Sequence, residues 1–326
     1  DIGNELNDSY SMGIARFSAG IAHFYYGRWG LASHFLSDAE RIFKDECKGA
    51  VWETSSAQAY LISALAAQGE FNDLMRRVPT LLARAISQGN RYLAGHLRTG
   101  YSSLVWLCAD DPESATRHID DAITESNHEG YTILEFMAML ARVNIDLYQG
   151  DPEGAWQWLE TEAQHPGVTQ MREIAFVDLE FRVLRVRTLI ALLPIQTRND
   201  EIEGIAVRIK KDLTRLFRTH SPWVIAIAHY LKLIFDRHYQ PQAVNSHQIQ
   251  MAIQALEGTG LHHYARTARI LSGLHQNSAH GAQIMIEGIE MVRRRGVQNP
   301  EKFLRIYLPG VELKPASKYA EMASRN

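Results

Sequence analysis

Apolar positions along the chain recur at helical spacing, and no alternating strand pattern persists anywhere. The pattern breaks at short polar turns. "FYYGRWGLA" places one at Gly27, "AAQGEFNDL" one at Gly69, "LCADDPESA" one at Asp110 and "IDLYQGDPEGAW" one at Gly150. Successive turns are 42, 41 and 40 residues apart. Five residues beyond each turn stand Ala32, Leu74, Ala115 and Ala155, three of them small. Nine beyond stand Leu36, Val78, Ile119 and Leu159, all apolar. Twelve beyond stand Ala39, Leu81, Ala122 and Glu162, where the last departs. Steps of four and three place these positions on one helix face. A small residue early in a second helix lets it approach the first closely.

The turns have a chemical basis. In "ADDPES" and "QGDPEG" an Asp precedes a Pro. Asp caps a helix by accepting backbone N–H groups, and Pro suits the first helical position. Glu113 and Glu153 follow in the first turn, where the helix dipole favours negative charge. Polar, Gly-bearing segments then close the second helices: "SQGN" at 87–90, "NHEG" at 127–130 and "QHPG" at 164–167. The helix before each turn is the more apolar of the two. "YTILEFMAMLARVNIDLY" is apolar nearly all round, as a helix packed on several sides must be. "AQAYLISALAAQ" and "HLRTGYSSLVWLCA" hold the same place in their units.

Beyond residue 167 the turns lose their register while helix pairs continue. Residues 169–193 read as one long helix ending before Pro194. The fold expected is all-α: an α-solenoid of tetratricopeptide-like helix pairs with a repeat of roughly 40 residues. One helical domain is expected over 1–310, regular over 13–166 and looser over 167–310. Residues 311–326 read as a polar tail in which a helix is left open.

Composition narrows the function classes. Of 326 residues, 46% are hydrophobic and 22% charged, with a net charge of -3, so no global field attracts nucleic acid or an anionic membrane. No apolar run is long enough to span a bilayer. Cys47 and Cys108 have neither CxxC spacing nor a paired framework and read as reduced thiols of a cytoplasmic protein. The chain begins with Asp1, which points to a piece of something larger.

The helix pairs resemble tetratricopeptide repeats over residues 13–166, although that repeat is standardly about 34 residues long. A second resemblance is carried by "VWETSSAQAYLISALAAQGEFNDLMRRVPTLLARAISQGNRYLAGHLR" (51–98), "IDLYQGDPEGAW", "FRVLRVRTLIAL" and "RRRGVQNPEKFLRIYLPG". In this order they resemble the C-terminal helical region of large bacterial serine/threonine protein kinases, where a kinase domain and a signalling NTPase domain precede tetratricopeptide-like helices. The sequence has no glycine-rich phosphate loop, His-Arg-Asp loop, Asp-Phe-Gly site or GxxxxGK[ST] loop. The resemblance therefore implies a non-catalytic part of such a kinase. It would bind a peptide or protein partner, one candidate being the parent's own kinase or NTPase domain. The alternative is a domain that senses a small-molecule effector and is coupled to an NTPase or a transcription regulator, with tryptophans and tyrosines lining its pocket.

Candidate chemistry is sparse. Fourteen histidines, among them the adjacent His262 and His263, form no HExxH or Cys/His ligand cluster, and neighbours on a helix point apart. Neither a metal nor a cofactor is expected. Paired carboxylates at Asp110–Asp111, Asp120–Asp121 and Glu160–Glu162 read as solvated faces, and no catalytic residue is assigned. Arginines cluster at Arg182, Arg185 and Arg187, flanked by Arg172 and Arg198. Others cluster at 208–218 and at Arg293 to Arg295. They suit phosphate or an acidic peptide, or internal pairing with Asp178, Glu180 and Asp212. In helix-pair solenoids the first helices commonly line the concave surface. The partner-binding candidates are thus their polar residues His96, Arg98, Glu135, Arg142, Asn144, Arg182 and Arg185. The competing reading is hydrogen-bonded structure between helices.

Overall fold

The computed structural model describes residues 8–126 and 130–323; residues 127–129 of the predicted "NHEG" closure and both extreme termini lie outside them. Among the described residues there are eighteen α-helices, three short 3-10 turns and no strand. In chain order the helices are α1 (Ser9–Tyr25), α2 (Trp29–Asp45), α3 (Val51–Gln68), α4 (Phe71–Ser87), α5 (Arg91–Arg98), α6 (Leu104–Cys108), α7 (Pro112–Glu125), α8 (Ile133–Gln149) and α9 (Pro152–Ala163). They continue as α10 (Pro166–Met171), α11 (Ala175–Leu192), α12 (Asn199–Phe217), α13 (Pro222–Tyr239), α14 (Ser246–Gly258), α15 (His262–Gln276), α16 (Ala279–Arg294), α17 (Pro300–Leu304) and α18 (Ala316–Ala323). Helices adjacent along the chain pack in neighbouring pairs.

Each of the four turns is left-handed. Gly27, Gly69, Asp110 and Gly150 have φ of 71°, 75°, 54° and 81°. The N–H of each bonds back three residues, and the next N–H bonds back five: Arg28 to His23 O (2.9 Å), Glu70 to Leu65 O (3.0 Å), Asp111 to Trp106 O (2.9 Å) and Asp151 to Asp146 O (2.8 Å). This pair of bonds satisfies carbonyls that a helix end otherwise leaves open. The next helix starts at once: the Asp111 and Asp151 side chains accept the N–H groups of Ser114 and Gly154, each at 2.9 Å. The offsets behave as their spacing predicts. Ala32, Leu74, Ala115, Ala155, Leu36, Val78, Ile119 and Leu159 are all buried. First helices such as α8 are buried nearly all round, whereas α4 buries only Phe71, Leu74, Val78, Leu82 and Ala85 along one stripe.

The carboxyl-terminal third lies against this edge of turns. Trp223 packs on Gly27 and His263 on Gly69, and the Arg305 guanidinium lies over Gly150. Asp110 accepts from Asn299 Nδ2 and Lys302 Nζ, both at 3.1 Å. The Gln298 N–H donates to Cys108 O (2.8 Å), and Arg295 pairs with Glu70. A hydrophobic cluster therefore runs from Phe24 to Tyr319, with smaller clusters that include Phe136 and Leu184, and Ala39 and Ala57.

Two elements differ from their predicted form. "HLRTGYSSLVWLCA" is not one helix. Thr99 is extended and Gly100 has φ of 56°, and Met137 of α8 packs so close that a β-carbon at Gly100 would lie 2.5 Å from its Cε. The expected helix 169–193 is split into α10 and α11. Arg172 reaches across the break to Asp178 (2.7 Å) and covers the Phe181 ring. In the tail, α18 packs on α16 and buries Tyr319, whose hydroxyl accepts the Lys314 N–H at 2.9 Å.

Gly27 and Gly49 share a left-handed φ, 71° and 78°, but a β-carbon at Gly27 would meet Trp223 Cδ1 at 2.0 Å whereas one at Gly49 would meet nothing within 4 Å. Gly49→Ala is expected to cost about 1 kcal/mol, the conformational penalty alone. Gly27→Ala is expected to cost about 2 kcal/mol more by overpacking. Urea denaturation of both variants measures the difference.

Candidate functional site

The starts of α3, α5 and α8 and the ends of α2, α4 and α7 form the edge opposite the turns. Here a cleft of about 430 Å³ opens between α5, the end of α7 and the start of α8. Its walls include Tyr92, His96 and Arg98 from α5, Glu125 from α7, and Ile133 and Leu134 from α8. Local sequence fixes these helix starts. Asn90 caps α5 by accepting the Leu93 N–H (3.1 Å), and its Nδ2 donates to Ser55 Oγ on α3 (2.7 Å). Thr132 and Glu135 form a capping box at α8, in which Glu135 accepts the Thr132 N–H at 2.7 Å.

Polar groups sit deep and apolar groups at the mouth. Arg98 is only 4% exposed; it donates to Glu125 at 2.7 Å and lies 3.9 Å from Asp121, while its Nε has no partner. Burial pushes the His96 imidazole down to about 4, so it is neutral at pH 7. Its ring centroid lies 4.7 Å from that of Tyr92. Tyr92 and Ile133 are each 41% exposed. Sequence reasoning missed both; the available signal was an apolar residue just after a capping residue, off the buried stripe.

The structure does not bring all the predicted partner-binding residues together. His96 and Arg98 share the cleft, with Glu135 beside it at the α8 cap. Arg142 bonds Asp120 at 2.6 Å and covers the Trp158 ring at 4.7 Å. Asn144 is buried and accepts at its Oδ1 from Arg187 Nη2 (3.1 Å). Arg182 and Arg185 converge on Asp212, at 2.9 and 2.6 Å, and that carboxylate is 0% exposed. Arg182 also takes Asp178 at 2.6 Å. Their first use is thus to tie α11 to α12.

A second polar cluster is interior. Arg187, Glu180, Tyr101, His263, Trp29 and Trp223 gather where α2, α11, α13 and α15 meet the chain near Tyr307. Tyr101 donates its hydroxyl to Glu180, and Arg187 donates to Ile306 O at 3.2 Å. The chamber beside them measures about 40 Å³, room for one or two water molecules. Ligand pockets start at about 300 Å³.

Among the described residues, no group of three or more His, Cys, Asp and Glu is placed to hold a metal ion, and no helix is long and apolar enough to cross a membrane. Burial raises the thiols of Cys47 and Cys108 above their usual range, which disfavours the thiolate.

Because the folded imidazole of His96 protonates near pH 4 and the free one near 6.5, the unfolded chain takes up the proton first. Stability therefore falls as pH drops from about 6.5 towards 4. An NMR titration of His96 should show no inflection between pH 5.5 and 8, and His96→Gln should remove part of the acid slope. Asp212→Ala, which strands two guanidinium groups, is expected to cost about 3 kcal/mol in urea denaturation. Arg198→Ala at the exposed Asp200 pair should cost less than about 0.5 kcal/mol. No protein-family model, no curated protein and no solved structure matches this chain.

Proposed function

We propose that this chain is a non-catalytic protein-interaction module that takes a peptide or protein segment in the cleft between α5, α7 and α8. The observation that carries the reading is the placement of that cleft. It lies on the edge away from the docked carboxyl-terminal third, holds about 430 Å³, and presents half-exposed Tyr92 and Ile133 over the buried Arg98 and neutral His96. An apolar anchor above a few fixed polar groups is how peptide grooves combine affinity with orientation. Four left-handed turns at intervals of 42, 41 and 40 residues support reading residues 13–166 as an α-solenoid of tetratricopeptide-like pairs. Membership of a bacterial signalling kinase, and with it a cytoplasmic place, rests on the sequence resemblance alone. In such a parent the module would recruit a substrate or hold the catalytic domains.

Selection of random phage-displayed peptides on the full chain tests this. Enriched peptides should lose at least about tenfold in affinity, roughly 1.4 kcal/mol, with Tyr92→Ala or Ile133→Glu. The melting temperature should barely move, since both side chains are surface-exposed. Peptides that bind these variants as tightly as the native chain would remove the reading. Strong thermal stabilisation by a metabolite, lost in the same variants, would replace it with effector sensing.

A further inference from the structure

Near the Gly27 turn, Phe24 of α1, Trp29 of α2, Glu180 of α11 and Trp223 of α13 meet around the small chamber of about 40 Å³. We propose that this chamber binds a primary ammonium group whose alkyl chain leaves over Tyr25 and Tyr60. The site is separate from the cleft at Tyr92 and does not depend on the docking reading.

A buried carboxylate points to a cation. Glu180 lines the chamber and is 7% exposed. Tyr101 donates to its Oε2, while its Oε1 makes no hydrogen bond or ion pair among the described residues. Arg187 does not pair with it, because that guanidinium donates to Ile306 O and Asn144 Oδ1. Burial raises the Glu180 carboxyl above its usual range, so its charged form is short of partners. Donors for an anion are missing by contrast. Trp29 Nε1, Trp223 Nε1 and His263 Nδ1 lack partners but are sealed from solvent, so none is offered to a ligand. Burial lowers His263 to about 3, which leaves it neutral at pH 7.

The walls favour the same charge. Four rings close a circuit: Phe24 to Trp29 at 5.2 Å between centroids, Trp29 to Trp223 at 5.5 Å, Trp223 to Phe176 at 5.9 Å and Phe176 back to Phe24 at 5.5 Å. Aromatic faces attract cations, most strongly where water is excluded. Local structure sets the pieces. Phe176 and Glu180 stand one turn apart on α11, the left-handed Gly27 joins the helices of Phe24 and Trp29, and the break at Gly100 starts the 3-10 turn that carries Tyr101.

Size selects the head group. A chamber of about 40 Å³ takes roughly one or two non-hydrogen atoms. That suits an ammonium and its first methylene and shuts out a trimethylammonium group. Ser63, Ala67, Tyr101 and Phe176 are only partly buried, so the chamber has a mouth. Beside it stand Tyr25, 46% exposed, and Tyr60, their hydroxyls 3.0 Å apart, and the Tyr25 ring packs on Phe176 at 5.4 Å. An alkyl chain leaving the chamber would lie on these rings.

Titration of the full chain with butylammonium chloride tests this, followed by tryptophan fluorescence and by the indole N–H signals of the isotope-labelled protein. Saturable binding with a Kd of about a millimolar or tighter is expected, a scale within reach of a ligand of about five heavy atoms. Sodium chloride at equal ionic strength should not reproduce it. 1-Butanol and tetramethylammonium should each bind at least about tenfold more weakly. Glu180→Gln, which keeps an acceptor for Tyr101, should weaken butylammonium at least about tenfold, and Phe176→Leu about threefold. Tyr92→Ala should bind it as the native chain does, so loss of the peptide reading leaves the site standing.

Nα-acetyl-lysine amide separates two sources of the ammonium group. Tighter binding than butylammonium assigns the group to a lysine side chain of another protein, and weaker binding assigns it to a free amine; either keeps the site. No saturation by about 20 mM, or equal binding by 1-butanol or by Glu180→Gln, overturns it. If Glu180→Gln does not fold, Phe176→Leu and the 1-butanol comparison decide.

Discussion

A helix that must reverse within two residues leaves its last carbonyls without partners, and a left-handed residue is the local device that closes them. The rest of this architecture depends on that device occurring at Gly27, Gly69, Asp110 and Gly150. Because the backbone is bare at the glycines, other parts of the chain can come very close. The Trp223 ring, the His263 side chain and the Arg305 guanidinium occupy that space. At Asp110 a side chain is present, and it works differently. Its carboxylate collects Tyr148, Asn299 and Lys302, whose hydrogen bonds hold it below the usual carboxyl range although burial alone would raise it. The turns therefore both reverse the chain and receive the carboxyl-terminal third.

The two edges of the helix pairs differ in what covers them. Internal packing covers much of the turn edge, although Tyr25, Tyr26 and Leu31 beside the Gly27 turn stay exposed; first helices begin and second helices end at the opposite edge. There the exposed apolar residues Val51, Trp52, Ile86, Tyr92 and Ile133 stand near two clefts separated by α5. Helix starts are good places for recognition because capping fixes their side chains while their N–H groups remain directional donors.

Buried charge has a different use. Asp212 holds Arg182 and Arg185, and Arg187 spans from Asn144 on α8 to the Ile306 carbonyl. Charges so placed specify which helix meets which, since any slip would strand a buried ion without a partner. The same residues type and spacing would serve an exposed phosphate site. Only their environment separates the two uses.

Much of the fold was legible in the sequence. Helical period, the Asp-Pro starts and the small residues at Ala32, Ala115 and Ala155 are local or nearly local matters, fixed by backbone sterics and by i to i+4 spacing. They predict helices, turns and buried stripes without knowledge of what lies across them. The break at Thr99–Gly100 was harder, because the apolar spacing runs through it and the Met137 side chain that packs there belongs to another helix. The candidate site was legible only in part. His96 and Arg98 were readable as polar residues on an apolar helix, but Asn144, Arg182 and Arg185 carried the same signature. Whether such a residue meets a partner or a neighbouring helix depends on groups tens of residues away, as Asp212 and Arg187 show. The sequence determined the units and their hinges, since those follow from short-range geometry. The tertiary structure alone decided which edge is covered, which charges are paired and which clefts stay open, since those depend on long-range packing that no local pattern encodes.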